Sequence, residues 1–221
     1  MVSTILNPST DFDDVQPPAR LTMTYDEYLD WYDRDAGRRG EWVDGEVIVF
    51  MPTTRMHEQI LHFLHVLLGI VVDLREVGFI TGSGYELRTR DGSAREPDLM
   101  VILNENEDRA TDRRLLGAAD IVVEIISLDS VSRDRGEKFA EYAAVGVTEY
   151  WVIDPREDKE SFELFILEGD GAYVLAEGDD EGRVWSSVLT GVWFDPAWLM
   201  AEKLPKVTPI ALQMAENPQR P

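Results

Sequence analysis

Apolar and polar positions along the chain alternate in ways that separate helices from strands. Tyr25, Tyr28, Leu29 and Trp31 or Tyr32 recur at helical spacing behind a Thr24 to Glu27 capping box, which predicts a short helix to about Asp33. Residues 41–43 and 46–50 flank Asp44-Gly45, a pair suited to a tight turn with positive φ, and predict a hairpin. From Thr54 to Arg75 the residues Ile60, Leu61, Leu64, Leu67, Leu68, Val71 and Val72 are spaced by threes and fours, with further apolar residues between them. That breadth predicts a long helix buried on more than one side, stopped by Gly78. Residues 79–81 and 85–90 read as strands around Gly82-Ser83-Gly84. With the Asp91-Gly92 turn and a strand entered through Pro97-Asp98, residues 79–103 are expected to form an antiparallel meander.

The second half opens with the apolar run 121–126. A helix carrying Asp134, Lys138, Phe139, Tyr142 and Ala143 follows, ended by Gly146, and then a strand over 149–154 that Pro155 terminates. Strand, helix, strand in that order predicts a right-handed parallel crossover. Residues 162–167 and 172–176 read as a hairpin around Gly169-Asp170-Gly171, and residues 192–200 as an aromatic cap. The expected fold class is therefore α/β, a central mixed sheet flanked by helices with an N-terminal hairpin. Residues 1–20, with Pro8, Pro17, Pro18 and the acids at 11, 13 and 14, read as a flexible leader, 21–204 as the domain, and 205–221 as a loose tail.

Composition narrows the function. A chain of 221 residues with 44% hydrophobic content buries a full core. It has no cysteine, so thiolate metal sites and disulfides are excluded. The apolar region 60–74 is broken by His62, His65 and Asp73, and the N-terminus runs into acids instead of a basic start and an apolar core; neither a membrane span nor a signal peptide is expected, and a cytoplasmic protein is. The net charge of -22 excludes a general coat protein for DNA, because neutralising phosphates needs lysine and arginine. A local basic cleft is compatible with that total, since Arg88, Arg90, Arg95, Arg133, Arg135 and Lys138 flank the acidic positions in sequence.

Those positions lie between Glu96 and Trp151. Asp98 opens one predicted strand and Glu124 sits near the end of another, so adjacent strands would bring two carboxylates to one sheet edge with a cation nearby, the minimum for holding a divalent metal beside a phosphodiester. Glu124 stands inside an apolar run where an unpaired carboxylate would cost several kcal/mol, about what is typical for a buried charge; a metal, an arginine or solvent at the strand end would remove that cost. Asp134 and Lys138, four apart, taken alone read as an exposed helical ion pair, and only the position of Lys138 after the Glu124 strand supports a functional role. His62 and His65 share a helix face with no third ligand spaced to match, and read as ordinary helix histidines, whereas His57 at the helix start can approach the site.

In this order, Glu41-Trp42-Val43-Asp44-Gly45-Glu46-Val47, His57, Pro97-Asp98, Val123-Glu124-Ile125-Ile126-Ser127, Asp134 with Lys138, and residues 142–155 resemble the Uma-two type of restriction-endonuclease-like proteins, within the PD-(D/E)xK nuclease superfamily. The resemblance covers residues 21–200. It implies metal-dependent hydrolysis of phosphodiester bonds in DNA with Mg2+ (or Mn2+), Asp98 and Glu124 as metal ligands, and the Ile125 carbonyl as a third. The superfamily's usual lysine falls where this chain has Ile126, and the resemblance assigns that role to Lys138 from the following helix. Glu41 is implied as an additional acid, binding a second ion or accepting a proton, and His57, Ser127 and Asp134 as residues that position the ligands. A homodimer is expected of an enzyme that cuts both strands. The alternative is a nuclease-fold protein with little chemistry that binds a protein partner through its acidic surface.

Overall fold

Asp44 and Gly45 adopt φ of 48° and 89°, so both central residues of the predicted turn are left-handed and the hairpin closes as a type I′ turn. A computed structural model describes residues 18–34, 39–128 and 130–217. Its first half runs β1 (Arg20–Thr22), α1 (Tyr25–Arg34), β2 (Gly40–Val43), β3 (Glu46–Val49), α2 (Arg55–Arg75), β4 (Gly78–Gly82), β5 (Glu86–Arg90), β6 (Ser93–Arg95) and β7 (Leu99–Leu103). The second half runs β8 (Arg114–Leu116), β9 (Ile121–Ile125), α3 (Lys138–Val145), β10 (Glu149–Asp154), β11 (Ser161–Leu167), β12 (Tyr173–Leu175), β13 (Val184–Trp185), β14 (Trp193–Phe194) and α4 (Val207–Glu216).

Among the described residues the strands form two mixed six-stranded sheets and a two-stranded ribbon, and the fold is the expected mixed α/β one. The first sheet has the order β1-β3-β2-β6-β5-β8 and the second β12-β11-β10-β9-β7-β4. The meander expected over 79–103 does not form. β4 pairs with β7 in one sheet, and β5 pairs with β6 in the other, so the chain changes sheets at the Gly82-Ser83-Gly84 turn. Asp-Gly turns and strand spacing report local reversal, but they carry no information on which sheet a strand joins. The parallel pairing of the predicted crossover does form, because β9 and β10 are parallel neighbours joined through α3.

The second sheet is buried on both faces. Leu99, Val101, Ile121, Val123, Ile125, Trp151 and Ile153 face one core with α2, while Met100, Ile102, Val122, Tyr150 and Val152 face another with Tyr142 of α3. Strand alternation places Glu124 in step with Val122, on the α3 side. α2 starts at an N-cap whose Thr54 hydroxyl accepts the His57 amide, so the first turn is pinned where it meets the sheet edge. By length and composition α2 could cross a bilayer, yet Ile60, Leu64, Leu67, Leu68 and Val71 are enclosed by the protein.

Two boundaries depart from expectation. α2 ends at left-handed Glu76, not at Gly78. Gly78 instead lets β4 lie against β7, since a Cβ there would stand 2.1 Å from the Ile102 carbonyl oxygen. Residues 205–221 are no loose tail over 207–216: α4 packs on α2, burying Ala211 and Met214, and Arg75 donates to the carbonyls of Met214, Ala215 and Thr190. Pro209 falls in the first turn of α4, where its missing amide costs nothing. The expected leader lies outside the described residues up to position 17, and Arg20 already belongs to β1.

Candidate active site

β7 and β9 are antiparallel with Leu99 opposite Val123, which sets the start of one strand beside the end of the other. Asp98, immediately before β7, and Glu124, inside β9, therefore converge on one cavity of about 370 Å³. Asp98 Oδ2 accepts the Ile125 amide at 2.7 Å and lies 3.3 Å from His57 Nε2. Backbone on one side and the α2 terminus on the other thus fix the carboxylate. The cavity is lined by His57, Asp98, Glu124, Ile125, Ser127, Asp134 and Lys138, all of which the sequence had singled out.

Lys138 enters from the far side. A π turn over Arg133–Glu137 precedes α3, and within it the Lys138 amide bonds to the Arg133 carbonyl. Such turns widen the helix by one residue and recur at functional sites. The Lys138 ammonium lies 2.9 Å from Glu41 Oε1, 2.9 Å from Glu124 Oε1 and 3.2 Å from Asp134 Oδ1. The Asp134 contact is an ion pair without hydrogen-bond geometry. Burial works against the lysine's charge, but these three acids outweigh it and hold the ammonium protonated well above its ordinary range.

Glu41 lies deeper than its expected role requires. Its Oε1 accepts Lys138 and the Glu96 amide, its Oε2 meets Arg95 at 3.2 Å, and it does not line the cavity. Burial raises its pKa, but Lys138 and Arg95 prevail and lower it. Both oxygens are engaged, so the geometry suits an anchor for Lys138 rather than a ligand for a second ion or a proton acceptor. Sequence reasoning named Arg95 only as a flanking cation, whereas it is 1% exposed and also paired with Glu141 at 2.6 Å; it missed Tyr142, whose hydroxyl donates to Glu124 Oε1 at 2.7 Å. The proximity of Arg95 to the Pro97-Asp98 motif was a signal; the apolar spacing of Tyr142 made it read as core. Of the flanking cations Arg133 and Lys138 line the cavity, whereas Arg90 pairs with Asp44, Arg88 lies over the Tyr25 ring, and Arg135 pairs with Glu163.

Glu124 contrasts with Glu149, another buried acid of the same sheet. Glu149 Oε1 accepts the Ser187 amide and hydroxyl and the Val188 amide, while Oε2 accepts Ser186 Oγ and Trp151 Nε1. At Glu124 both donors go to Oε1, and at Asp98 both contacts go to Oδ2. One oxygen of each carboxylate is thereby left to the cavity. Burial pushes the Glu124 carboxyl well above its ordinary range, Asp134, Asp98 and Glu41 push it further, and Lys138 opposes them. Asp134 is raised as well, chiefly by burial.

This excess of negative charge, with hard oxygen donors turned to the cavity, suits a divalent cation of the magnesium type. Among the described residues no three carboxylate or imidazole side chains are gathered as a complete metal site. The donor set that fits is therefore two carboxylates completed by backbone oxygen or water.

A mixed α/β fold of restriction-endonuclease-like kind, with acids and a lysine meeting at the ends of two central strands, defines the class. The chain belongs to the Uma2 family, described as "Putative restriction endonuclease", whose model matches residues 25–197. The fold is similar to the 1.96 Å crystal structure of "a putative nuclease belonging to DUF820 from Anabaena variabilis ATCC 29413", with a TM-score of 0.63 and 18% identity, over 80% of this chain and 97% of that one. No curated protein matches the chain.

Proposed function

We propose that this protein is a divalent-metal-dependent endonuclease that hydrolyses phosphodiester bonds in DNA, using magnesium or manganese. The observation that carries the reading is the apposition of Asp98 and Glu124 in one cavity, each with one oxygen free of protein partners, beside the Lys138 ammonium. Asp98, Glu124 and the Ile125 carbonyl would hold the ion. Bound there, it supplies polarisation of the scissile phosphate and a lowered pKa for a water nucleophile.

The chain's own residues do the rest. His57 and the Ile125 amide fix Asp98, as positioning partners of ligands generally do. Lys138, held protonated, serves as a fixed positive charge rather than a base, and it stabilises charge growing on the phosphate or orients the attacking water. Its contacts run to Glu41, Glu124 and Asp134, so to reach substrate it releases the longest and worst aligned, Asp134. Glu41 and Arg95 keep the lysine in place, and Ser127 lines the cavity beside them.

The test is cleavage of supercoiled, linear and single-stranded DNA with magnesium or manganese at low and moderate salt, wild type beside Glu124→Ala. Metal-dependent cleavage that vanishes in the folded variant is expected. Unimpaired cleavage by the variant would refute the reading. A homodimer accompanies this reading if duplexes are cut on both strands.

The net charge of -22 favours a second reading, an inactive nuclease fold that binds a protein partner. Folded wild type that neither cleaves any of these DNAs nor binds manganese would select it.

A further inference from the structure

Tyr142 is fully buried on α3, one helical turn beyond Lys138 and on the same face. Its hydroxyl and the Lys138 ammonium both address Glu124 Oε1, at 2.7 and 2.9 Å. The phenol is not free to follow a moving carboxylate. Its ring stacks edge-on against Tyr150 at 5.1 Å, and the Tyr150 hydroxyl is tied to the Asp134 carbonyl at 2.9 Å. Tyr150 in turn packs edge-on against Phe139 at 6.3 Å, so the donor is mounted on a rigid aromatic cluster.

A carboxylate held through one oxygen by two donors of fixed position has its plane set, and its second oxygen points where those donors are not. The geometry points to Tyr142 as a positioning residue that turns Glu124 Oε2 into the cavity and so sets affinity for the divalent cation. This rests on the reading of Glu124 as a ligand. Without the hydroxyl, Lys138 alone holds Glu124, and the carboxylate can rotate to offer the ammonium both oxygens. The cation then competes with the lysine for its own ligand. Because tyrosine here is neutral, its loss changes orientation without changing the charge of the site.

The experiment titrates Mn2+ against wild type, Tyr142→Phe and Tyr173→Phe by electron paramagnetic resonance of the free ion, with urea unfolding of each. Tyr173 is the control, since its hydroxyl donates to the Val147 carbonyl at 2.8 Å and to none of the site residues. Tyr142→Phe keeps the ring and is expected to fold while weakening Mn2+ binding about ten-fold, the usual cost of losing a partner that orients a ligand. Tyr173→Phe should bind as wild type does, and cleavage by Tyr142→Phe should recover in part at raised Mn2+. Equal Mn2+ affinity in wild type and folded Tyr142→Phe overturns the inference while leaving the metal reading intact. Wild type that binds no Mn2+ overturns both.

Discussion

The Lys138 ammonium stands 2.9 Å from Glu124 and 2.9 Å from Glu41, two acids contributed by different sheets. It is the cross-link between β2 and β9 as well as the cation of the site. Lys138→Met leaves Glu41, Glu124 and Asp134 buried without it, and breaking such a cluster costs about 3–5 kcal/mol. In that variant burial and mutual repulsion raise the folded carboxyl pKa values above the unfolded ones. The folded state then binds more protons, so stability is gained as pH falls toward the ordinary carboxylate range and lost as pH rises. Urea midpoints at about pH 5 and about pH 8 check this: the deficit against wild type should be smaller at the lower pH.

Arg95 and Arg90 make a matched comparison. Arg95 is enclosed between Glu41 and Glu141, whereas Arg90 pairs with Asp44 in solvent. Arg95→Leu is expected to lose about 3 kcal/mol because it leaves the buried Glu41 Oε2 without its cation. Arg90→Ala should lose no more than about 1 kcal/mol. Chemical denaturation of both variants reads the difference.

α4 is part of the core. Met214 is 2% exposed against α2, and Leu212 of the same helix is 40% exposed. Met214→Ala should cost about 2–5 kcal/mol, while Leu212→Ala stays within about 0.5 kcal/mol. Equal effects in thermal unfolding would deny the docking of α4.

Asp179 gives a clean acid limb. Burial nudges its carboxyl upward, but Trp185 Nε1, the Arg183 amide and guanidinium and the Glu181 amide outweigh it and lower the pKa to about 2. The folded state therefore binds fewer protons than the unfolded one between about 2 and the ordinary value of 3.8. Its stabilisation is complete above that ordinary value and lost as pH falls through about 2. Wild type should unfold at a higher temperature than Asp179→Asn at neutral pH, and the gap should narrow below the ordinary value of 3.8 and close as pH falls through about 2.

Much of this was legible in sequence because it is local. The Asp44-Gly45 turn, the α2 pattern and the β9-α3-β10 crossover follow from turn chemistry and periodicity, and the family motifs singled out the residues that the strands bring together. Sheet membership was not legible, since whether β5 returns to β4 depends on contacts far away in sequence. The α4 helix was hidden by prolines. Val207, Ile210, Ala211 and Met214 carry its period, but Pro205 and Pro209 stand before it and in its first turn, where proline ordinarily marks irregular chain. Tyr142 was hidden by its chemistry, because a buried phenol looks apolar until the acid it serves is seen beside it.

Whether Asp98 and Glu124 hold a metal ion is read from anomalous diffraction of crystals of wild type and Asp98→Asn grown with Mn2+. If Asp98 and Glu124 hold the ion, wild type shows one peak in the cavity between them and the variant loses it. A protein that cleaves DNA with its Mn2+ bound elsewhere, or with an undiminished peak in Asp98→Asn, would contradict it.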